Sequence, residues 1–265
     1  MNVTRAAVLV AALLAPASAR AGQRVVLFGG GAFPKEAVDL YMRGAGGEKA
    51  HVLFVTWASG EPREEIEEFK TYMEPWKIVA PEVAPSTSTI MARKREFLEQ
   101  LSRATGVFFT GGDQNRIMNV LDKDPALAEA LRKRYREGVV FGGTSAGTAL
   151  MSKIMITGEG NFEVIDGTKV ETRTGLGLLP PDVIVDQHFI RRQRENRLFG
   201  LVLTFPGTLG AGVDEPCALV VDDVRYAQAF GPTHVMIVRA TSPSALAVEL
   251  LKSGERYDLR ERKRL

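Results

Sequence analysis

The segment Phe141-Gly142-Gly143-Thr144-Ser145-Ala146-Gly147 places one serine among glycines directly after an apolar run. Gly143-x-Ser145-x-Gly147 is the spacing of a nucleophile elbow. A serine held on a tight strand-to-helix turn needs very small residues two before and two after it, so that the crossing backbones can pass. Such a turn lifts the hydroxyl out of the sheet and aims it at the mouth of the next helix. There the backbone N–H of Ala146 can stabilise a tetrahedral oxyanion. The same residues also fit an ordinary glycine-rich turn, so the partners decide.

A serine nucleophile needs a base, and the chain has three histidines. His51 opens a strand candidate ahead of the elbow. His234 follows Pro232 at the start of a late apolar run and reads as a structural residue. His188 lies in Asp186-Gln187-His188-Phe189, directly after the apolar Val183-Ile184-Val185. That is the predicted C-terminal end of a strand, the edge where ligand and catalytic groups collect in open parallel sheets. Arg191, Arg192, Arg194 and Arg197 follow. They read either as a solvated basic helix or as guanidinium forks for substrate carboxylates.

A second polar turn, Gly111-Gly112-Asp113-Gln114, follows the apolar Phe108-Phe109. Gly112 can supply a second oxyanion N–H, and Gln114 can hydrogen-bond a substrate or hold a catalytic partner. The bland alternative is a helix N-terminus capped by Asp113.

These residues require a scaffold that gathers strand ends. Apolar runs at Val25–Phe28, His51–Thr56, Trp76–Val79, Gly106–Thr110 and Val139–Phe141 alternate with helix-length stretches at Pro34–Arg43, Glu61–Glu74 (strongly acidic), Ile90–Arg103, from Gln114, and Ala126–Glu137. This alternation predicts an α/β fold with a mostly parallel sheet covered by helices on both faces. Lys153–Thr174 reads as hairpins, Val183–Gln187 as a returning strand, and Phe189–Leu203 as a helix. Four later runs, near 210–213, 218–221, 235–239 and 245–251, predict additional β-structure in the C-terminal half. The charged Glu255–Leu265 reads as a solvated end.

The first residues are set apart from the fold. Arg5, the apolar Ala6–Ala15, and the small-residue sites Ala17-Ser18-Ala19 and Ala19-Arg20-Ala21 predict a cleaved signal peptide over residues 1–21. The apolar run is too short to span a bilayer. A single catalytic domain over 22–265 is expected, exported to the bacterial periplasm or secreted, with no membrane attachment after processing. Loss of Arg5 and Arg20 would take 34 basic residues to 32, against 32 acidic ones. A near-neutral chain gives no electrostatic reason to expect nucleic acid. One cysteine, Cys217, allows no internal disulfide, so the domain must rest on its core. The serine chemistry calls for no metal and no cofactor.

Taken together and in this order, Gly111–Gln114, Gly143–Gly147, Asp186–Phe189 with its arginines, and Gly212-Val213-Asp214-Glu215 resemble the cyanophycinase / peptidase E-like serine peptidase family. The resemblance runs from about Val25 to Val221. It implies a class I glutamine amidotransferase-like fold, a homodimer, and hydrolysis of β-linked aspartyl–arginine peptide in cyanophycin. By motif it makes Ser145 the nucleophile and His188 the base, and it places Gln114, Asp186, Gln187, Arg192, Arg194 and Arg197 in the substrate pocket. The scissile amide is expected at a side-chain carboxyl, with Asp186 available for a guanidinium. The spacing after the serine points to Glu163 as the acid that orients His188, with Glu159 and Glu171 as alternatives. Thr148 stands where the family often has alanine.

Three other readings compete. A dipeptidase of the same family would act on small aspartyl or isoaspartyl peptides. An α/β-hydrolase esterase would pair Ser145 with His234 and either Asp214 or Asp222. A periplasmic binding protein would need neither the elbow nor a histidine at a strand end.

Overall fold

Strand β1 (Arg24–Phe28) is fully buried from Val25 onward, and its neighbours alternate between two cores. Val25 and Leu27 point to one side of the sheet, Val26 and Phe28 to the other. The same split recurs in β2 (Val52–Val55), where Leu53 and Val55 oppose Val52 and Phe54. A strand covered on both faces has no polar side to show. Its sequence therefore reads as a continuous apolar run rather than an alternation.

The computed structural model describes residues 22–60, 62–78, 81–161 and 163–265. The expected signal peptide lies outside them. After β1 come α1 (Lys35–Gly44), β2, α2 (Pro62–Met73), β3 (Glu82–Val83) and α3 (Lys94–Arg103). Next are β4 (Gly106–Phe109), α4 (Gln114–Lys123), α5 (Pro125–Arg136), β5 (Val140–Thr144) and the single turn α6 (Ala146–Ala149). The hairpin β6 (Ile154–Gly160) and β7 (Val170–Thr174) leads to β8 (Val183–Gln187), α7 (Glu195–Thr204) and β9 (Leu209–Val213). Six strands close the chain: β10 (Ala218–Asp222), β11 (Tyr226–Phe230), β12 (Val235–Ser242), β13 (Ala245–Leu251), β14 (Arg256–Asp258) and β15 (Lys263–Arg264).

The main sheet runs in the order β15-β14-β11-β10-β1-β5-β4-β2-β3. Its β1-β5-β4-β2-β3 half is parallel, and β10, β11, β14 and β15 extend it antiparallel from β1. A second sheet, β13-β12-β9-β8, covers a third core of Ile184, Phe189, Leu198, Leu201, Val202 and Val238. This is the expected α/β class with added β-structure in the C-terminal half.

Two expectations are corrected. The third strand is Glu82–Val83, because Trp76 ends a 3₁₀ turn over Glu74–Trp76 instead of opening a strand. The C-terminus is not a solvated tail. Tyr257, Asp258 and Leu259 are buried, and Arg225 binds the Asp258 carboxylate through Nε and Nη2. Charge density misled here because the salt-bridged arginines sit at the rim of an added sheet edge.

Candidate active site

Ser145 adopts φ 52° and ψ −113°, between β5 and α6. A non-glycine residue in that region is strained, and the flanking glycines show why the strain is tolerated. A β-carbon on Gly143 would lie 2.5 Å from the Gly147 carbonyl carbon, and one on Gly147 would collide with the Phe109 carbonyl. Only hydrogen fits at either place. Thr148 reinforces the turn from behind. It is fully buried, and its hydroxyl lies 2.7 Å from the carbonyl oxygens of both Phe28 and Gly143, tying β1 to the elbow.

His188 arrives from the other sheet. β8 and β9 pair in parallel, with Gln187 opposite Val213, so the residues just beyond these positions emerge at one edge. His188 is the first residue past β8, at φ 47°, with its backbone N–H donating to the Gly29 carbonyl at 2.8 Å. Its Nε2 sits 2.8 Å from Ser145 Oγ. Its Nδ1 makes a short hydrogen bond to Glu215 Oε1. A hydroxyl, an imidazole and a carboxylate thus lie in line, which is the arrangement of a serine–histidine–acid triad. Burial pushes the His188 pKa below 6.5, the Glu215 hydrogen bond opposes that shift, and Arg192 and Arg194 add to it. The ring is thereby kept neutral near pH 7, as a general base requires.

The carboxylate facing His188 is therefore Glu215 and not Glu163. Glu163 is exposed, and its backbone contacts Asn161 and Asn196. Glu159 and Glu171 are exposed on the β6–β7 hairpin. Counting along the chain after the serine failed because an excursion of two strands separates α6 from β8. The signal that identifies Glu215 is its position two residues past β9, the parallel neighbour of β8. The esterase pairing is not formed: His234 is exposed, Asp222 binds Arg24, and Asp214 accepts the Arg191 N–H.

A pocket of about 200 Å3 opens beside Ser145. It is lined by Gly112, Asp113, Gln114, Ser145, Thr157, Gly158, Gln187, Arg192, Arg194 and Arg197, so most of the residues expected to bind substrate meet here. A larger groove of about 620 Å3 lies beside α2, and neither Ser145 nor His188 lines it. Ala146 opens α6, so its N–H has no carbonyl one turn back to donate to. Gly112 takes φ 123° and packs so closely on the Ala58 carbonyl that no side chain could stand there.

The polar residues divide by task. Gln114 Nε2 donates to the carbonyls of Ile156 and Thr157, pinning the amide to the hairpin that forms one wall. Asp113 caps α4 by accepting from Asn115 N–H, so the capping reading of this turn holds together with the pocket reading. Asp186 is absent from the pocket lining. It is 1% exposed, its carboxylate binds Arg197 through two hydrogen bonds, and it also accepts the Gln187 N–H. Asp186 is thus committed to Arg197 and leaves no carboxylate edge for a substrate guanidinium. Gln187 holds Arg194 through its backbone and side-chain oxygens, at 2.9 and 2.8 Å. Burial lowers the Arg194 pKa to about 10, which still leaves the guanidinium charged at neutral pH. Arg192 is exposed at the rim.

Residues 25–228 match Peptidase family S51. The chain belongs to that family. It is a peptidase, and the geometry around Ser145 is consistent with the serine type. A cyanophycinase from Trichormus variabilis is 35% identical over 227 residues, covering 84% of this chain and 76% of the relative. A cyanophycinase from Geminocystis herdmanii is 32% identical over 241 residues, covering 84% and 88%. The crystal structure of a peptidase from an acI-B1 Actinobacterium superposes with a TM-score of 0.67 at 21% identity, covering 90% of this chain and 98% of that one. That likeness shows the shared fold.

Proposed function

We propose that this S51 peptidase acts on cyanophycin, a polymer of aspartate with β-linked arginine, and releases β-Asp-Arg. The observation that carries the reading is the Glu215–His188–Ser145 line opening onto a pocket lined by Arg192, Arg194 and the Asp186-paired Arg197. Each unit of such a polymer presents a free carboxylate and a guanidinium, and a set of guanidinium forks is complementary to the carboxylate.

Atom balance identifies the amide that breaks. The product β-Asp-Arg keeps its own isopeptide bond, so the scissile bond is the main-chain amide between successive aspartates. Cleavage at the side-chain carboxyl would release free arginine instead. Ser145 Oγ attacks the carbonyl carbon while His188 Nε2 takes its proton. The oxyanion faces the N–H groups of Ala146 and Gly112. His188 returns the proton to the departing amine, leaving an ester on Ser145, and water then enters by the same route and frees the acid. Glu215 stays ionised throughout and stabilises the imidazolium.

The deciding experiment incubates residues 22–265 with cyanophycin, β-Asp-Arg and an α-aspartyl dipeptide. Release of β-Asp-Arg from the polymer, with the free dipeptide left intact, supports the reading. Free arginine from the polymer would move the cleavage to the isopeptide bond. Hydrolysis of small dipeptides alone would favour an aspartyl dipeptidase, a reading that the small volume of the pocket also suits. Export to the periplasm or medium and assembly as a homodimer belong to the same proposal. Cell fractionation and the mass of the purified protein in solution test them.

A further inference from the structure

With Asp186 committed to Arg197, the site needs another partner for a substrate cation. Glu65 on α2 meets the requirement. Its Oε2 accepts the Gly111 N–H at 3.3 Å, which brings the carboxylate out of its helix and onto the Gly111-Gly112 turn. A β-carbon on Gly111 would lie 3.5 Å from Ser145 Cβ and 3.5 Å from Glu65 Oε1. Glu65 Oε1 and Ser145 Cβ are thus separated by no more than twice that distance.

Acidic residues in the first turn of a helix often do no more than favour its dipole. Glu64 and Glu65 both stand in the first turn of α2, and Glu64 is exposed in keeping with that role. Glu65 differs because its side chain is half-buried and reaches across to another element. Among the described residues no lysine or arginine forms an ion pair with it. Burial raises its pKa, the Gly111 hydrogen bond opposes the rise, and the nearby Glu68 and Glu64 add to it. A partly desolvated carboxylate without a counterion gains from an incoming cation.

Its placement gives the site a polarity. Glu65 is not part of the arginine-lined pocket, whereas Gly112 and Ser145 border that pocket. Arginines, with Asp113 among them, line the pocket that Gly112 and Ser145 border, and the Glu65 carboxylate adjoins the Gly111 edge of the same turn. A β-Asp-Arg unit carries the complementary pair of charges.

We infer that Glu65 is the specificity residue that receives the guanidinium of the substrate, while Arg192 and Arg194 receive its carboxylate. This inference rests on the β-Asp-Arg reading of the site. Oε1 and the remaining lone pair of Oε2 offer the two acceptors that a guanidinium edge requires.

The test compares a short β-Asp-Arg oligomer with its citrulline counterpart, which has the same shape without the charge. Wild type, Glu65→Gln and Glu65→Lys are assayed on both. Wild type should prefer the arginine oligomer. Glu65→Gln should cut kcat/KM on that oligomer roughly 10- to 100-fold, mainly through KM, and leave the citrulline oligomer nearly unchanged. Glu65→Lys should lower the arginine-to-citrulline ratio further. Equal losses on both oligomers would reduce Glu65 to a support for the Gly111 turn and overturn the inference, with the substrate reading intact. If wild type cleaves neither oligomer, the substrate reading fails and the inference falls with it.

Discussion

Gly30 lies against the imidazole of His188, so close that a β-carbon on the glycine would collide with ring atoms Cε1, Nδ1 and Nε2. The loop after β1 thus forms the surface on which the base rests. Gly30 also takes φ 115°, which penalises any side chain. Gly30→Ala should displace the ring and lower kcat/KM by about 100-fold or more, since a shift near 1 Å is enough for such a loss. The far-ultraviolet circular dichroism should remain that of wild type. Full activity in this variant would mean that the ring does not depend on this contact.

Ser145→Ala and His188→Ala should each abolish hydrolysis by on the order of 10,000-fold or more. The double variant should be no worse than either single one, because nucleophile and base act as a unit. Losses that multiply would separate the two residues.

Glu215→Gln should lower kcat by about 10,000-fold, by presenting an amide where Nδ1–H needs a carboxylate. Glu163→Gln should leave activity unchanged. The opposite pattern would return the acid to the position that chain spacing suggested.

The acid limb of kcat/KM should fall below pH 6.5, because burial holds His188 neutral to lower pH than a free imidazole. The signs differ between neighbours. Arg192 lowers the His188 pKa, so Arg192→Gln should move the limb upward; Glu215 raises it, so the residual activity of Glu215→Gln should move the limb downward. A pH titration of all three proteins checks both directions.

Asp186 and Arg197 are each 1% exposed, so removing one partner leaves a buried charge. Asp186→Asn should destabilise the fold by about 3–5 kcal/mol in denaturant unfolding. Replacing the rim residue in Arg192→Gln should leave stability nearly unchanged and weaken kcat/KM by about 1 kcal/mol or less, because an exposed ion pair is screened by water. An unfolding midpoint unaltered in Asp186→Asn would contradict the buried-pair account.

Legibility in the sequence followed locality. The elbow could be read because its chemistry and its steric demand fall within five residues, and His188 because it directly follows an apolar strand. Glu215 stood within a recognised motif, yet its role depends on the register of Gln187 with Val213, which no count along one chain supplies. Glu65 and Gly30 gave no signal for the same reason: each matters through what a distant segment brings against it. Asp186 shows the reverse error. A carboxylate in a site motif reads as a ligand for substrate until its pairing with Arg197, eleven residues onward, is visible.

Ser145 hangs from the nine-stranded sheet, whereas His188 and Glu215 project from the end of the four-stranded one. The proton path therefore crosses a seam between two sheet bodies that share an apolar core, fastened beside the site by the His188 N–H on the Gly29 carbonyl. Turnover becomes a ruler for that seam. Mild pressure or denaturant that lets one body slip against the other should silence the enzyme while both sheets still hold their amide protons against exchange.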